Sequence, residues 1–203
     1  MRNLFVSEFL TLDGVMQAPG ASDEDVEGGF QHGGWQLAYF DDVFADSMNE
    51  TMANTGGFVL GRKTYQLFAA YWPTAKEEVG EFADVMNEMP KHVASRTLRP
   101  PLEWKNSTLL EGDLEEAVRK LKEQDGKDLQ VIGSGNMARS LIQSDLVDAY
   151  RLMIHPLVIG TGKRLFGEGI PRIPLRLVES TTSGTGVLIL TYERAEQEPG
   201  SPG

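Results

Sequence analysis

The stretch that decides the fold covers residues 129–142 and has the sequence LQVIGSGNMARSLI. An apolar run with β-branched residues stops at two glycines that flank Ser134, and apolar residues then recur at helical spacing. The stretch therefore predicts a strand, a tight glycine turn and a helix. Such a turn points backbone N–H groups and the positive end of the helix dipole beyond the strand, which suits a phosphate. An ordinary connection in an α/β domain has the same pattern, so the turn alone leaves both interpretations open.

Length and composition narrow the class of protein. A chain of 203 residues with 40% hydrophobic and 24% charged residues is typical of one globular domain with a substantial core. The absence of cysteine excludes disulfides, thiolate metal sites and cysteine nucleophiles. A net charge of −11 argues against a general nucleic-acid binder, because phosphate contacts need a clustered basic surface. With no apolar run of the ~18 to 20 residues that a membrane-spanning helix needs, we expect a cytoplasmic protein.

Short β-rich runs alternate with helical patterns up to the glycine turn, and strands alone follow it. The predicted strands are 4–10, 57–61, 91–95, 107–110, 129–132, 149–159, 175–180 and 187–192. The predicted helices are an amphipathic one over 35–52, one starting at Arg62, one capped by Thr74 and continuing through Met89, one capped by Asp113, and one starting at Asn136. This order predicts an α/β fold with a mostly parallel central sheet, flanking helices and an antiparallel C-terminal hairpin.

Two segments fall outside this alternation. Residues 17–34 are rich in glycine and acidic residues, and we predict a long loop of the kind that forms a lid or a binding site. The acidic run 23–27 within it is expected to be solvated. Residues 195–203 are polar and rich in Pro, Gly and Ser, so we predict a domain over 1–194 followed by a flexible tail over 195–203.

Three predicted strands end in residues that suit an anion. They are followed by Gly61-Arg62-Lys63-Thr64, Ser95-Arg96 and Gly133-Ser134-Gly135-Asn136. In an open α/β sheet, ligands bind at these strand ends. Arg62, Lys63 and Arg96 suit the 2′-phosphate of NADP, while the glycine turn offers backbone donors to a pyrophosphate. One cation after a strand is most often simply solvated, but three such junctions together favour a dinucleotide site.

The same segments resemble a known family. They are residues 7–14 with Leu12-Asp13-Gly14, residues 61–65, 95–97 and 131–135, and residues 155–166 with the sequence HPLVIGTGKRLF. In this order they resemble the dihydrofolate reductase-like fold, and most closely the RibD C-terminal reductase domain of riboflavin biosynthesis. The resemblance extends from about residue 2 to residue 193. The block 155–166 is the most specific, because secondary-structure propensity does not explain a proline, two glycines and a Leu-Phe pair close after a strand.

The resemblance implies an NADPH-dependent reductase that transfers hydride to a small, heterocyclic substrate of the pteridine or pyrimidine kind. By analogy, the adenosine phosphates would be held by Gly61, Arg62, Lys63, Thr64, Ser95 and Arg96. The pyrophosphate would be cradled by Gly133, Ser134, Gly135 and Asn136. The segment 156–166 would pack a homodimer.

Three further residues are candidates on the substrate side. Dihydrofolate reductases carry a substrate-protonating carboxylate on the helix after the first long loop, and Asp41 is the corresponding catalytic candidate; water is the other proton source. A solvated helix carboxylate is the alternative for Asp41. Asp13 and Trp35 are candidates for substrate binding, although Asp13 also suits a turn with Gly14 and Trp35 also suits the core.

Some functions are not expected. The RibD reductase domain has a glutamate just before its glycine turn, where this chain has Ile132, so the riboflavin precursor is not the expected substrate. The three histidines His32, His92 and His155 lack the spacing of metal ligands, and we expect no metal. Ser134 has no His and acid partners in a recognisable order, which argues against a serine hydrolase. A ligand-binding protein that keeps the reductase fold without turnover remains the alternative.

Overall fold

A computed structural model describes residues 1–195 as one eight-stranded sheet with helices packed against it. In chain order the strands are β1 (Leu4–Thr11), β2 (Thr55–Gly61), β3 (Lys91–Ala94), β4 (Ser107–Leu109), β5 (Asp128–Ile132), β6 (Ala149–His155), β7 (Leu175–Thr182) and β8 (Leu188–Arg194). The α-helices are α1 (Asp42–Asn54), α2 (Arg62–Tyr71), α3 (Lys76–Val79), α4 (Glu81–Glu88), α5 (Leu114–Glu123) and α6 (Gly135–Gln143).

The strands lie in the order β4-β3-β2-β5-β1-β6-β8-β7. The first six run parallel to one another, β8 pairs antiparallel with β6, and β7 pairs antiparallel with β8. This confirms the predicted mostly parallel sheet with an antiparallel C-terminal hairpin. β1 lies between β5 and β6, where Ser7 pairs with Ile132 and Thr11 pairs with His155. The carboxyl ends of β3, β2 and β5 are therefore neighbours along one edge.

The two faces of β1 lie in different parts of the core. Leu4, Val6 and Leu10 are buried in a cluster that includes Leu141 of α6. Phe9 points to the opposite face, because side chains alternate along a strand, and it packs with the fully buried Phe44 of α1. Helices thus cover both faces of the sheet, as the alternating sequence pattern predicts.

The predicted helix over 35–52 is wrong in its first part, since α1 begins only at Asp42. The carboxylate of Asp41 accepts the N–H of Phe44 and caps the helix at that point. Phe40, just before the cap, has an extended backbone and is 55% exposed. The apolar spacing that continued across Asp41 therefore does not belong to one helix face.

The predicted cap at Thr74 is also wrong. Its hydroxyl donates to the carbonyl of Tyr71 at 3.3 Å, and α3 begins at Lys76 without a side-chain cap. Gly80, with a φ of +64°, then separates α3 from α4, so the predicted helix through Met89 is two shorter ones. Thr74 is occupied by the preceding 3₁₀ turn and is one residue too early to cap the helix.

One other local signal worked as expected, whereas the predicted end of the sixth strand was wrong. Asp113 caps α5 by accepting the N–H groups of Glu115 and Glu116. β6 stops at His155, before the predicted end at residue 159, because Pro156 has no N–H to continue the ladder.

Residues 17–34 form a loop, as predicted, that is ordered by its own side chains. The amide of Gln17 donates to the carbonyls of Asp25 and Glu27, and its oxygen accepts the N–H of Lys163. Of the predicted tail, only Ala195 lies within the described residues. None of the helices in residues 1–195 combines the length and the apolar character needed to cross a membrane.

Candidate functional site

The fold brings the three anion-suited junctions to one edge of the sheet. β3, β2 and β5 are adjacent and parallel, so the residues that follow them lie side by side. These are Gly61-Arg62-Lys63-Thr64, Ser95-Arg96 and Gly133-Ser134-Gly135-Asn136. The candidate site is this edge together with the loop over residues 17–34.

Two of the junctions are tied directly to each other. The N–H of Ser134 donates to Thr64 Oγ1 at 2.9 Å, and the hydroxyl of Ser134 accepts the N–H of Gly61 at 2.9 Å. These bonds hold Ser134 in the left-handed conformation, with φ +59° and ψ +36°. They also consume two backbone donors that the sequence assigned to a ligand. The first turn of α6, at Gly135 and Asn136, retains N–H groups without partners inside the helix.

Packing as well as backbone conformation favours glycine in this turn. Gly133 has a φ of +56°, and a Cβ there would lie 3.1 Å from Thr64 Cγ2. A Cβ on Gly135 would lie 2.9 Å from Met16 Sδ. The turn is therefore fitted between α2 on one side and the segment after β1 on the other.

The two predicted arginines are exposed at this edge. Arg62 donates to the side chain of Gln66 on its own helix, at 2.9 Å. Arg96 follows β3, where its carbonyl accepts a bond from the side chain of Arg99. The hydroxyl of Ser95 accepts the N–H groups of Thr97 and Leu98, so it shapes the turn.

The third predicted cation, Lys63, already holds a carboxylate. Its Nζ lies 2.7 Å from Glu27 of the long loop, and Lys163 lies 2.6 Å from the same carboxylate. Lys163 also pairs with Asp25 at 2.6 Å. The two lysines lower the pKa of Glu27 to about 2, first through the bond from Lys163 and then through that from Lys63. We call Glu27, Asp25, Lys63 and Lys163 the loop latch.

The loop latch corrects the prediction that the run 23–27 is simply solvated. Its lysines come from segments that are 36 and 136 residues away from Glu27, and a local pattern carries no signal for such pairs. A cleft of about 510 Å³ opens beside the latch, between residues 27–32 and residues 161–163. This cleft lies along the loop rather than at the three strand ends.

Asp13 has a clear role in the fold. Its carboxylate accepts the hydroxyl of Thr11 at 2.6 Å and the N–H groups of Ile159 and Gly160, and it pairs with Arg164 at 3.2 Å. The Thr11 hydroxyl first, and then the N–H groups of Gly160 and Ile159, hold the pKa of Asp13 well below its usual range. Asp13 thus ties the turn after β1 to the segment after β6, and its contact with a substrate stays a prediction.

Asp41 is engaged in a similar way. One carboxylate oxygen caps α1 through the N–H of Phe44, and the other accepts the N–H of Thr185 in the β7–β8 turn at 3.0 Å. The Phe44 N–H is the main cause that lowers the pKa of Asp41. A carboxylate with a lowered pKa is ionised at neutral pH and is poorly suited to donate a proton. Proton donation by Asp41 stays a prediction, and this geometry argues against it.

Trp35 lies in the core, where its ring packs against that of His155. It is 8% exposed, and its indole N–H donates to the carbonyl of Gln17 at 2.8 Å. Its ring stands edge-on to the fully buried ring of His155, with centroids 5.0 Å apart. Burial lowers the pKa of His155, whose Nδ1 lies 2.9 Å from the carbonyl of Met153. Substrate stacking on Trp35 stays a prediction.

The structure also reveals a residue that the sequence analysis did not single out. Glu8 lies in the middle of β1, is 5% exposed, and has a pKa raised well above its usual value, chiefly by burial. The sequence signal was a charged residue whose position places it on the same buried face of β1 as Val6 and Leu10.

Residues 1–195 contain no group of three or more His, Cys, Asp or Glu side chains arranged to hold a metal ion.

Comparison with known proteins agrees with this architecture. A Bacillus subtilis (strain 168) relative, "Uncharacterized protein YyaP", is 30% identical over 194 residues, which is 94% of each chain. A putative riboflavin biosynthesis protein from Shewanella sp. PV-4 superimposes with a TM-score of 0.71 at 22% identity, over 96% of this chain and 99% of that one. A pyrimidine reductase-like protein from Corynebacterium diphtheriae gives a TM-score of 0.58 at 13% identity, over 97% and 93%.

These two solved structures show the same fold. The family model described as RibD C-terminal domain matches residues 2–189, nearly the whole described chain. The resemblance inferred from the sequence is thereby confirmed. The chain belongs to the RibD C-terminal domain family.

Proposed function

We propose that this protein is an NADPH-dependent reductase that transfers hydride to a C=N or C=O bond of a small, heterocyclic substrate of the pteridine or pyrimidine kind. The observation that carries the proposal is the meeting of three anion-suited strand ends at one edge of the sheet. Membership of a reductase-like family supports an oxidoreductase, and one structural neighbour is itself described as pyrimidine reductase-like.

The residues at this edge fit a dinucleotide phosphate. The first turn of α6 offers N–H donors at Gly135 and Asn136, and the glycines leave room for close approach of a pyrophosphate. Arg62 and Arg96 are exposed beside it and suit a 2′-phosphate. Lys63 joins them when it releases Glu27. When bound, NADPH supplies the hydride, and the protein's part is to align the partners and exclude water, for which the long loop is well placed.

A thermal-shift comparison tests cofactor binding. NADPH at ~100 times its dissociation constant should add about 2.7 kcal/mol to the folded state, and NADH should add less because it lacks the 2′-phosphate. The variants Arg62→Ala and Arg96→Ala should weaken the response to NADPH and leave that to NADH unchanged. Arg119→Ala, on the exposed face of α5, is the matched control. If neither nucleotide moves the melting temperature, the proposal fails.

Turnover needs a separate test, because a protein can keep the fold and the nucleotide without catalysis. The alternative of a non-catalytic nucleotide- or ligand-binding protein is favoured by the engagement of Asp41 in helix capping. NADPH oxidation should be followed by absorbance with dihydrofolate and a panel of pteridines and pyrimidines. Oxidation with any of them supports the reductase, whereas NADPH binding without oxidation supports the alternative.

We also propose a homodimer, packed in part through the segment 156–166. Val158 and Phe166 there are 67% and 42% exposed, which is high for apolar side chains. Sedimentation velocity should give the mass of a dimer. A monomer at micromolar concentration would contradict this.

A further inference from the structure

The carboxyl group of Glu8 lies beneath the glycine turn. Glu8 follows Ser7, which pairs with Ile132 at the end of β5, so Glu8 is level with Gly133. The N–H of Gly133 faces the Glu8 carboxyl closely enough to lower its pKa, against the larger effect of burial. This acid is thus beside the turn that leads into α6, on the face of β1 that also carries Val6 and Leu10.

The hydrogen-bonding capacity of the Glu8 carboxyl group is incompletely used. Within residues 1–195, Oε1 of Glu8 is buried and has no hydrogen-bond partner. On β6 the residue paired with Glu8 is Leu152, which is apolar, and the long loop contributes the Glu24 carboxylate. Burial is the main cause that raises the pKa of Glu8, and Glu24 raises it further, while the Gly133 N–H opposes both. A buried carboxyl in these surroundings is more stable with its proton than without it.

An ionised Glu8 would compete with an anion at the turn. The carboxylate and a pyrophosphate would share the positive end of α6, and two negative charges repel strongly where water is excluded. A neutral Glu8 removes the repulsion, and its O–H can donate a bond that a carboxylate cannot.

We propose that Glu8 is a protonated carboxylic acid in the floor of this anion site, and that binding of an anionic ligand at the N–H groups of Gly135 and Asn136 is coupled to the proton on Glu8. The inference rests on the proposed function, in which the anion is the pyrophosphate of NADPH. It assigns to β1 a residue that sets the charge of the site, in addition to the cations on the strand ends.

The coupling is tested with NADPH itself, by measuring its dissociation constant between about pH 6.5 and 10 for the wild type and for Glu8→Gln. Above the pKa of Glu8, wild-type affinity should fall by up to about tenfold per pH unit, as expected for one linked proton. Glu8→Gln keeps an acceptor for the Gly133 N–H and should lack this fall. His32, Lys63 and the other ionisable groups of the site are present in both proteins, so they cancel in the comparison.

Two further measurements make the test independent of one variant. Calorimetry of the wild type in buffers of different ionisation enthalpy should show proton uptake on NADPH binding near the pKa of Glu8. Glu24→Gln should move the loss of affinity to lower pH, because it removes the charge that raises the pKa of Glu8. Glu116→Gln, on the exposed surface of α5, is the control for loss of one charge and should behave as the wild type.

The outcomes separate the two proposals. If the wild type does not bind NADPH at any pH, the proposed function fails. If it binds NADPH with the same pH dependence as Glu8→Gln and without proton uptake, the coupling is refuted and the reductase proposal stands.

Discussion

The glycine turn before α6 provides the sharpest test of the site, through the substitution Gly133→Ala. Gly133 has a φ of +56°, and a Cβ there would lie 3.1 Å from Thr64 Cγ2. The oxygen of the same threonine accepts the N–H of Ser134. One added methyl group therefore strains the backbone and pushes on the residue that ties α2 to the turn.

The magnitude follows from these contacts. An alanine in the left-handed region costs roughly 1–2 kcal/mol. Displacing Thr64 from its rotamer costs about 0.5–1.5 kcal/mol more, and weakening its bond with Ser134 costs about 0.5–1.5 kcal/mol. The free energy of unfolding should thus fall by about 2–4 kcal/mol. The upper value is below the simple sum because the last two costs concern the same Thr64 side chain and are not fully additive.

The matched control is Gly112→Ala, between β4 and α5. Gly112 has a φ of +76°, and no heavy atom lies within 4 Å of the position that an added Cβ would take. The alanine variant therefore has only the backbone cost of roughly 1–2 kcal/mol. Urea unfolding followed by circular dichroism gives both values, and NADPH titration gives the effect on the site. We expect weaker NADPH binding for Gly133→Ala and unchanged binding for Gly112→Ala. Equal stability and equal NADPH affinity of the two variants would refute the reasoning.

Three other predictions concern the core, a buried lysine and the loop latch. Phe44→Ala should lower the free energy of unfolding by about 3–5 kcal/mol, because Phe44 is fully buried, whereas Phe40→Ala, at a 55% exposed position, should change it by at most about 0.5 kcal/mol in urea unfolding. Burial lowers the pKa of Lys91 from 10.5 to about 8. At pH values between about 8 and 10.5, the unfolded chain therefore binds more protons than the folded chain. In this range the free energy of unfolding of the wild type should rise with pH relative to that of Lys91→Met. The same pH dependence in both proteins would contradict this. Glu27→Gln should free Lys63 and tighten NADPH binding severalfold at low salt, with a smaller gain in affinity at high salt. An NADPH titration that does not differ from that of the wild type would show that Lys63 does not contact the nucleotide.

Local signals in the sequence were sufficient where all the interacting groups lie within a few residues. The apolar run and glycines at residues 129–142 predicted β5, the turn and α6, and Asp113 predicted the cap of α5. They failed where two local patterns competed. The apolar spacing over 35–52 concealed the cap at Asp41, and Thr74 had the right type of side chain but was already held by the preceding turn.

Position in the sheet was also predictable, because parallel strands joined by helices must end at a common edge. That argument placed Arg62, Lys63, Arg96 and the glycine turn together before any contact was known. It did not reveal that Ser134 bonds to Thr64, which reduces the number of backbone donors left for a ligand.

The sequence by itself therefore determined the family, the parallel sheet and the identity of the strand-end residues, because burial patterns, caps and turns are encoded over short distances. Only the tertiary structure decided what those residues hold. Lys63 meets Glu27 across 36 residues of sequence, and the glycine turn meets the buried acid Glu8 from a strand near the start of the chain. Such pairs depend on which distant side chains the packed strands and loops bring into contact.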